Sequence, residues 1–122
     1  VNWLLVFVGS GLGGMARYGI SCLLPPVTLE RGELPWATLL ANVLACIMLG
    51  GGVGLAGKEL LPTSLQLLLL TGFCGGFSTF STYALELVLL GEEGNAGVAL
   101  LYICLSLLGG GAALYLALLL SR

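Results

Sequence analysis

Polar and charged positions cut this chain into four long apolar stretches. The first runs from about Trp3 to Leu24 and is interrupted only by Arg17. Pro25-Pro26 closes it, because proline lacks the N–H and clashes with the preceding turn. A loop with Glu30, Arg31 and Glu33 follows. The second stretch, Trp36 to Ala56, holds no charge, and Lys58, Glu59 and Pro62 mark its end. The third spans about Ser64 to Leu90 and carries Glu86. Glu92 and Glu93 separate it from the fourth, about Ala96 to Leu120. Each stretch is about long enough, as a helix, to cross ~30 Å of hydrocarbon. The pattern therefore predicts an all-α integral membrane protein of one domain with four transmembrane helices, at about 3–24, 36–56, 64–90 and 96–120. The first stretch lacks a basic leader and is too long for a signal-peptide core, so it is read as a retained span. Four spans put both termini on one side. Lys and Arg are nearly balanced between the two sides, so the positive-inside rule leaves orientation open.

Composition sharpens this picture. Hydrophobic residues make up 58% of the 122 and charged residues 8%. A soluble domain carries roughly a quarter charged residues. There is no His, and all six acids are Glu. That removes the commonest zinc and general-base chemistry, and no nucleophile–base pairing replaces it, so an enzyme is not expected. A net charge of −2 without a basic run argues against nucleic acid as a partner. The cysteines, Cys22, Cys46, Cys74 and Cys104, fall one per stretch and read as small packing residues. Twenty glycines are many for helices in water but suit close helix packing in lipid. Gly9 and Gly13, Gly50 and Gly54, and Gly72 and Gly76 have GxxxG spacing, which favours association and points to an oligomer.

One stretch departs from plain membrane filler. Gly72 to Tyr83, GFCGGFSTFSTY, crowds three glycines, four Ser/Thr hydroxyls and four aromatic rings into twelve residues. Glycine costs about 1 kcal/mol relative to alanine inside a helix, so a break in the third helix is expected at Gly75-Gly76. Polar residues on other spans are functional candidates as well. Thr38, Asn42 and Cys46 share a face of the second helix. Tyr102 and Ser106 share one on the fourth. Asn42 also reads as interhelical glue. Thr79, Tyr83 and Glu86 fall on one face of the third helix, and Glu86 is near enough to its end to reach the interface. Arg17 can draw an anion into a vestibule, pair with Glu, or reach the interface. Asn42, Thr79, Ser81, Thr82, Tyr102 and Ser106 form a pool of hydroxyl and amide donors. An anion losing its water needs donors, whereas a cation needs carbonyls or carboxylates.

These residues match a known family. The chain resembles the Fluc (CrcB) fluoride channels over essentially its whole length. The likeness rests on GxGGxxRY at Gly11 to Tyr18, on Thr38 four residues before Asn42, and on GFCGG followed by Ser78-Thr79-Phe80-Ser81-Thr82-Tyr83. The resemblance implies an antiparallel dual-topology dimer with two pores in the inner (plasma) membrane, passing fluoride passively to lower cellular fluoride. It implies that Asn42 lines the pore, that Phe80 and Tyr83 offer ring edges to the ion, and that Tyr102 and Ser106 belong to a polar track. Arg17 and Glu86 match positions near the vestibules. Gly75 and Ser78 would offer backbone carbonyls to a structural Na⁺ at the dimer centre, exposed by a helix break that runs through Ser78, with the helix resuming at Thr79. Ser78 stands where Thr is usual, Tyr83 where Phe is usual, and Gly110 where a hydroxyl often continues the track. Ala37 and Ala45 replace usual glycines. These departures leave a heterodimer with a paralogue open beside the homodimer. Two other readings compete: a small proton-coupled multidrug exporter, which needs an embedded carboxylate and has only Glu86, and a non-transporting membrane assembly protein.

Overall fold

The computed structural model describes residues 1–122 and contains helices, turns and loops, with no strand. The first helix is Asn2–Leu23 and the second Trp36–Gly57. The third spans Thr63–Glu92 and the fourth Ala96–Ser121. The second, third and fourth have mean hydropathies of 2.0, 1.3 and 2.2 over their most apolar windows, enough with their lengths to cross a membrane. The first is as long as the second and holds the same number of glycines, but Arg17, Tyr18, Ser10 and Ser21 dilute its apolar character, and it is not among the three helices apolar enough to cross a membrane. The prolines set the boundaries by removing donors. The first helix stops two residues before Pro25, the second begins directly after Pro35, and the third directly after Pro62.

Two stretches are wound more loosely than an α-helix. Gln66–Cys74 and Leu105–Gly109 are π-helical. Such turns are uncommon and concentrate at functional sites. Near the middle of the third helix, Gly75–Phe77 is α-helical, Ser78 (φ −80°, ψ 156°) and Thr79 (φ −149°, ψ 117°) are extended, and α-helix begins again at Phe80. Gly75 and Gly76, the residues from which interruption was expected, are themselves helical. The extended residues lie just after them.

Glycine lets the helices meet backbone to backbone. A Cβ on Gly9 would overlap the Leu68 carbonyl oxygen, one on Gly13 the Phe73 carbonyl, and one on Gly76 the Ser10 carbonyl. The small-residue stripe of the first helix thus lies directly on that of the third. The second helix meets the fourth in the same way, with Gly50 against the Leu114 carbonyl and Gly54 against the Ser121 hydroxyl. The three GxxxG stripes make close contacts within one chain. They therefore carry no argument for an oligomer, contrary to the expectation from their spacing.

Only 15 of the 122 residues are buried, and the two cores are small. One gathers Leu39, Leu90 and Tyr102; the other gathers Ala41, Ala45 and Phe77. Most apolar side chains face outward, as in a chain whose solvent is lipid. At one end Asn95 ties two loops together, its amide donating to the Leu29 carbonyl at 3.0 Å. Gly13→Ala is expected to lower the thermal midpoint of the detergent-solubilised protein by several degrees, since a backbone must move. Gly91→Ala, where nothing lies within 4 Å, is expected to leave it unchanged or slightly raised. Equal midpoints for the two variants would refute this packing.

Candidate ion pathway

The interruption in the third helix is held from the second. Asn42 faces Thr79 and bonds both polar groups of its backbone. The Thr79 N–H donates to Asn42 Oδ1 at 2.8 Å, and Asn42 Nδ2 donates to the Thr79 carbonyl at 3.3 Å. An extended residue inside a membrane helix leaves these groups without helical partners, at several kcal/mol each in lipid. A carboxamide carries one acceptor and two N–H donors. Asn42 therefore satisfies both groups and keeps one N–H in reserve.

Neighbouring groups complete the arrangement. The Thr79 hydroxyl accepts from the Thr82 N–H at 3.2 Å and caps the second half of the helix. Ser78 folds back, donating its N–H and its hydroxyl to the Cys74 carbonyl at 3.0 and 2.8 Å. Arg17 reaches across from the first helix, its Nε donating to the Gly76 carbonyl at 3.2 Å. A cation is well placed there, because carbonyls at a helix C-terminus carry partial negative charge. Gly75 differs. The N–H four residues on, which its carbonyl would meet in a continuous helix, is that of Thr79 and goes to Asn42.

Two cavities flank Thr79. One, of about 230 Å³, is lined by Asn42, Cys46, Ser78, Thr79, Phe80, Tyr83, Ser106 and Leu107. The Ser106 hydroxyl oxygen is buried in the fold and has no hydrogen-bond partner. The other, of about 250 Å³, is lined by Arg17, Tyr18, Ser21, Ala37, Thr38, Thr79 and Thr82. Thr79 lines both. Neither cavity is lined by a carboxylate. The rings meet at angles. Tyr83 and Tyr102 stand edge to face with centroids 4.9 Å apart, and Phe80 and Tyr83 are tilted by 56° at 6.2 Å. Phe80 is 79% exposed, so the first cavity lies open on that side.

The residues singled out from the sequence are not all brought to one place. Asn42, Ser78, Thr79, Phe80, Tyr83 and Ser106 share the first cavity, and Arg17, Thr79 and Thr82 share the second. Tyr102 lines neither. It is wholly buried, and its hydroxyl donates to Glu86 Oε1 at 3.2 Å. This engagement differs from a free place in a donor track, and it leaves Glu86 tied inside the chain. Ser81 is exposed outside both cavities, with its hydroxyl 3.5 Å from that of Thr79. Gly75 lies beside Ser78 on a third cavity of about 180 Å³. Sequence reasoning missed Tyr18 and Ser21. Their signal was available, since position 21 lies one helical turn beyond Arg17.

Helices with outward apolar faces, an interrupted third helix and donor-lined cavities beside it define a small polytopic membrane protein equipped to pass an ion. The sequence model of one family, described as CrcB-like protein, Camphor Resistance (CrcB), matches residues 4–118. The chain belongs to this family. Its relatives include the fluoride-specific ion channel FluC of Prosthecochloris aestuarii, 45% identical across 98% of this chain and 91% of that protein. The protein of the same name from Beijerinckia indica is 41% identical across 98% of this chain and 94% of its own length. That from Salmonella arizonae is 38% identical across 93% and 88%. The family is one of ion channels and not of enzymes.

Asn42→Leu is expected to destabilise the fold by about 1–3 kcal/mol for each Thr79 backbone group left unpaired, read as a lowered thermal midpoint in detergent. An Asn42→Leu midpoint equal to wild type would show that the clamp does not hold the third helix.

Proposed function

We propose that this chain is a fluoride channel, passing the ion passively across the inner (plasma) membrane so that a cell sheds accumulated fluoride. The observation that carries this reading is the first cavity. Its polar lining is amide, hydroxyl and ring edge, with no carboxylate. Fluoride is small and strongly hydrated, so a selective path must replace its water with several convergent donors. The spare N–H of Asn42, the unpartnered Ser106 hydroxyl and the Thr79 hydroxyl proton are such donors. The ring edges of Phe80 and Tyr83 carry partial positive charge and suit an anion. Arg17, on the second cavity, attracts an anion toward Thr79. The relatives' name, fluoride-specific ion channel, supports the same ion. An exporter of cations would rely on Glu86, which lies outside both cavities and accepts from Tyr102.

The working unit in this reading is an antiparallel homodimer, with a paralogue as the other conceivable partner. A polar cavity open at the depth of the hydrocarbon is not left facing lipid. A second copy laid against Phe80 would cover it. A structural Na⁺ would sit at the centre, held by the carbonyls of Gly75 and Ser78. The donor chemistry fits a hard cation: Gly75 is exposed, and its carbonyl is deprived of the Thr79 N–H. The interruption of the third helix then serves both ions, freeing carbonyls on one turn and presenting Thr79, Phe80 and Tyr83 on the next.

Purified protein in liposomes, followed with a fluoride electrode, is expected to release fluoride at least a hundredfold faster than chloride. Phe80→Ala should cut fluoride release tenfold or more while leaving dimer formation intact. Equal fluoride and chloride rates would overturn the proposal. If Na⁺ is structural, replacing it with a large organic cation during purification should lower both dimer stability and flux, and returning Na⁺ should restore them.

A further inference from the structure

The third cavity, of about 180 Å³, brings together two thiols that the proposed ion path does not use as a pair. Cys46 comes from the second helix, one turn beyond Asn42. Cys74 comes from the third helix, one turn before Ser78. Both line this cavity, together with the apolar side chains of Ala45, Leu49 and Leu70 and with Gly75 and Ser78, the residues to which the proposed Na⁺ is assigned. Both are free thiols; Cys74 is buried and Cys46 partly so. Cys46 also lines the first cavity, between the same helices as Asn42 and Ser106. Its sulfur is closely confined, lying 3.3 Å from where a Cβ on Gly110 would stand. Cys46 therefore forms part of the wall between the thiol cavity and the candidate anion path.

We infer that Cys46 and Cys74 form a two-thiolate binding site for a soft divalent metal ion that accepts linear coordination, of which Hg²⁺ is the probe, and that filling it obstructs the ion path. Thiolate donors select soft ions. The number of donors narrows the choice, since zinc takes four ligands in closed sites and no group of three or more His, Cys, Asp or Glu side chains occurs here. Charge narrows it again. Two thiolates with one divalent ion are neutral overall, whereas with Ag⁺ or Cu⁺ they carry one negative charge. No cationic side chain lines the cavity to compensate a buried negative charge, which is costly. Two S–H bonds break, two Hg–S bonds form, and two protons leave to bulk water, with no change of oxidation state. The metal site stands on the cavity alone. Only the obstruction rests on the fluoride-channel reading, through the other face of Cys46.

The test uses the full-length chain carrying Cys22→Ser and Cys104→Ser, so that only the two inner thiols remain. Titration with mercuric chloride is followed by thiolate-to-mercury absorption in the ultraviolet and by loss of free thiol. The expected result is saturation at one Hg²⁺ per chain with both thiols lost together. Adding Cys46→Ser or Cys74→Ser should abolish that stoichiometry while circular dichroism stays unchanged. In liposomes, fluoride release should fall at least tenfold with Hg²⁺ and recover with excess dithiol. Two Hg²⁺ per chain, none, or a mercury-linked pair of chains would overturn the site. One Hg²⁺ per chain with unchanged flux would overturn the obstruction. Absence of any flux before mercury is added would count against the channel reading, and the absorption titration would still decide the site.

Discussion

The carboxamide of Asn42 grips the backbone of Thr79 across 37 positions of sequence, and much of the site depends on it. An extended residue within a membrane helix exposes an N–H and a carbonyl where water is absent. One amide side chain answers both. With the Thr79 N–H diverted, the Gly75 carbonyl loses its helical partner, and Arg17 can approach the Gly76 carbonyl. With Thr79 extended, its hydroxyl caps the following helix, and Phe80 is thrown outward. The same contact thus shapes the turns on either side of Thr79.

A second constraint comes from the lipid. Membrane helices gain little from burying apolar surface against one another, since lipid tails are as apolar as leucine. Cohesion must come from close approach and from polar contacts. The first and third helices approach through Gly9, Gly13, Gly72 and Gly76, and the second and fourth through Gly50, Gly54 and Gly110. Arg17, Asn42, Tyr102 and Ser121 supply the long-range polar contacts between helices. The chain therefore holds together with few buried residues, and it leaves its donor-lined cavity open on the Phe80 side.

Several features were legible because their causes are local. The all-helical class follows from apolar length, and helix ends follow from Pro25, Pro35 and Pro62. The candidate side chains stood out because hydroxyls, an amide and a guanidinium are costly in lipid wherever they point. The position of the extended residues was less legible. Gly75-Gly76 drew attention as the weak point, yet glycine remains helical where its lack of a side chain lets Ser10 of another helix press against it. Tyr102 read as a pore donor for the same kind of reason. Its turn toward Glu86 depends on how the third and fourth helices are rotated, which hydrophobic periodicity in an almost wholly apolar helix does not encode.

The sequence by itself determined four long apolar stretches, the absence of enzyme-like chemistry, the excess of donors over carboxylates, and one segment unlike the rest. These follow from residue type and spacing, which each helix carries independently. Tertiary structure decided which of those donors are spent on the fold and which are free. Asn42 gives its oxygen and one N–H to Thr79 and keeps the other N–H, Tyr102 is committed to Glu86, and Ser106 stays unpartnered. It also decided that the glycine stripes serve contacts within the chain and that Cys46 and Cys74 share a cavity. Such assignments need the rotation and crossing of helices far apart in sequence, and a hydrogen bond or a shared cavity exists only once both partners are in place.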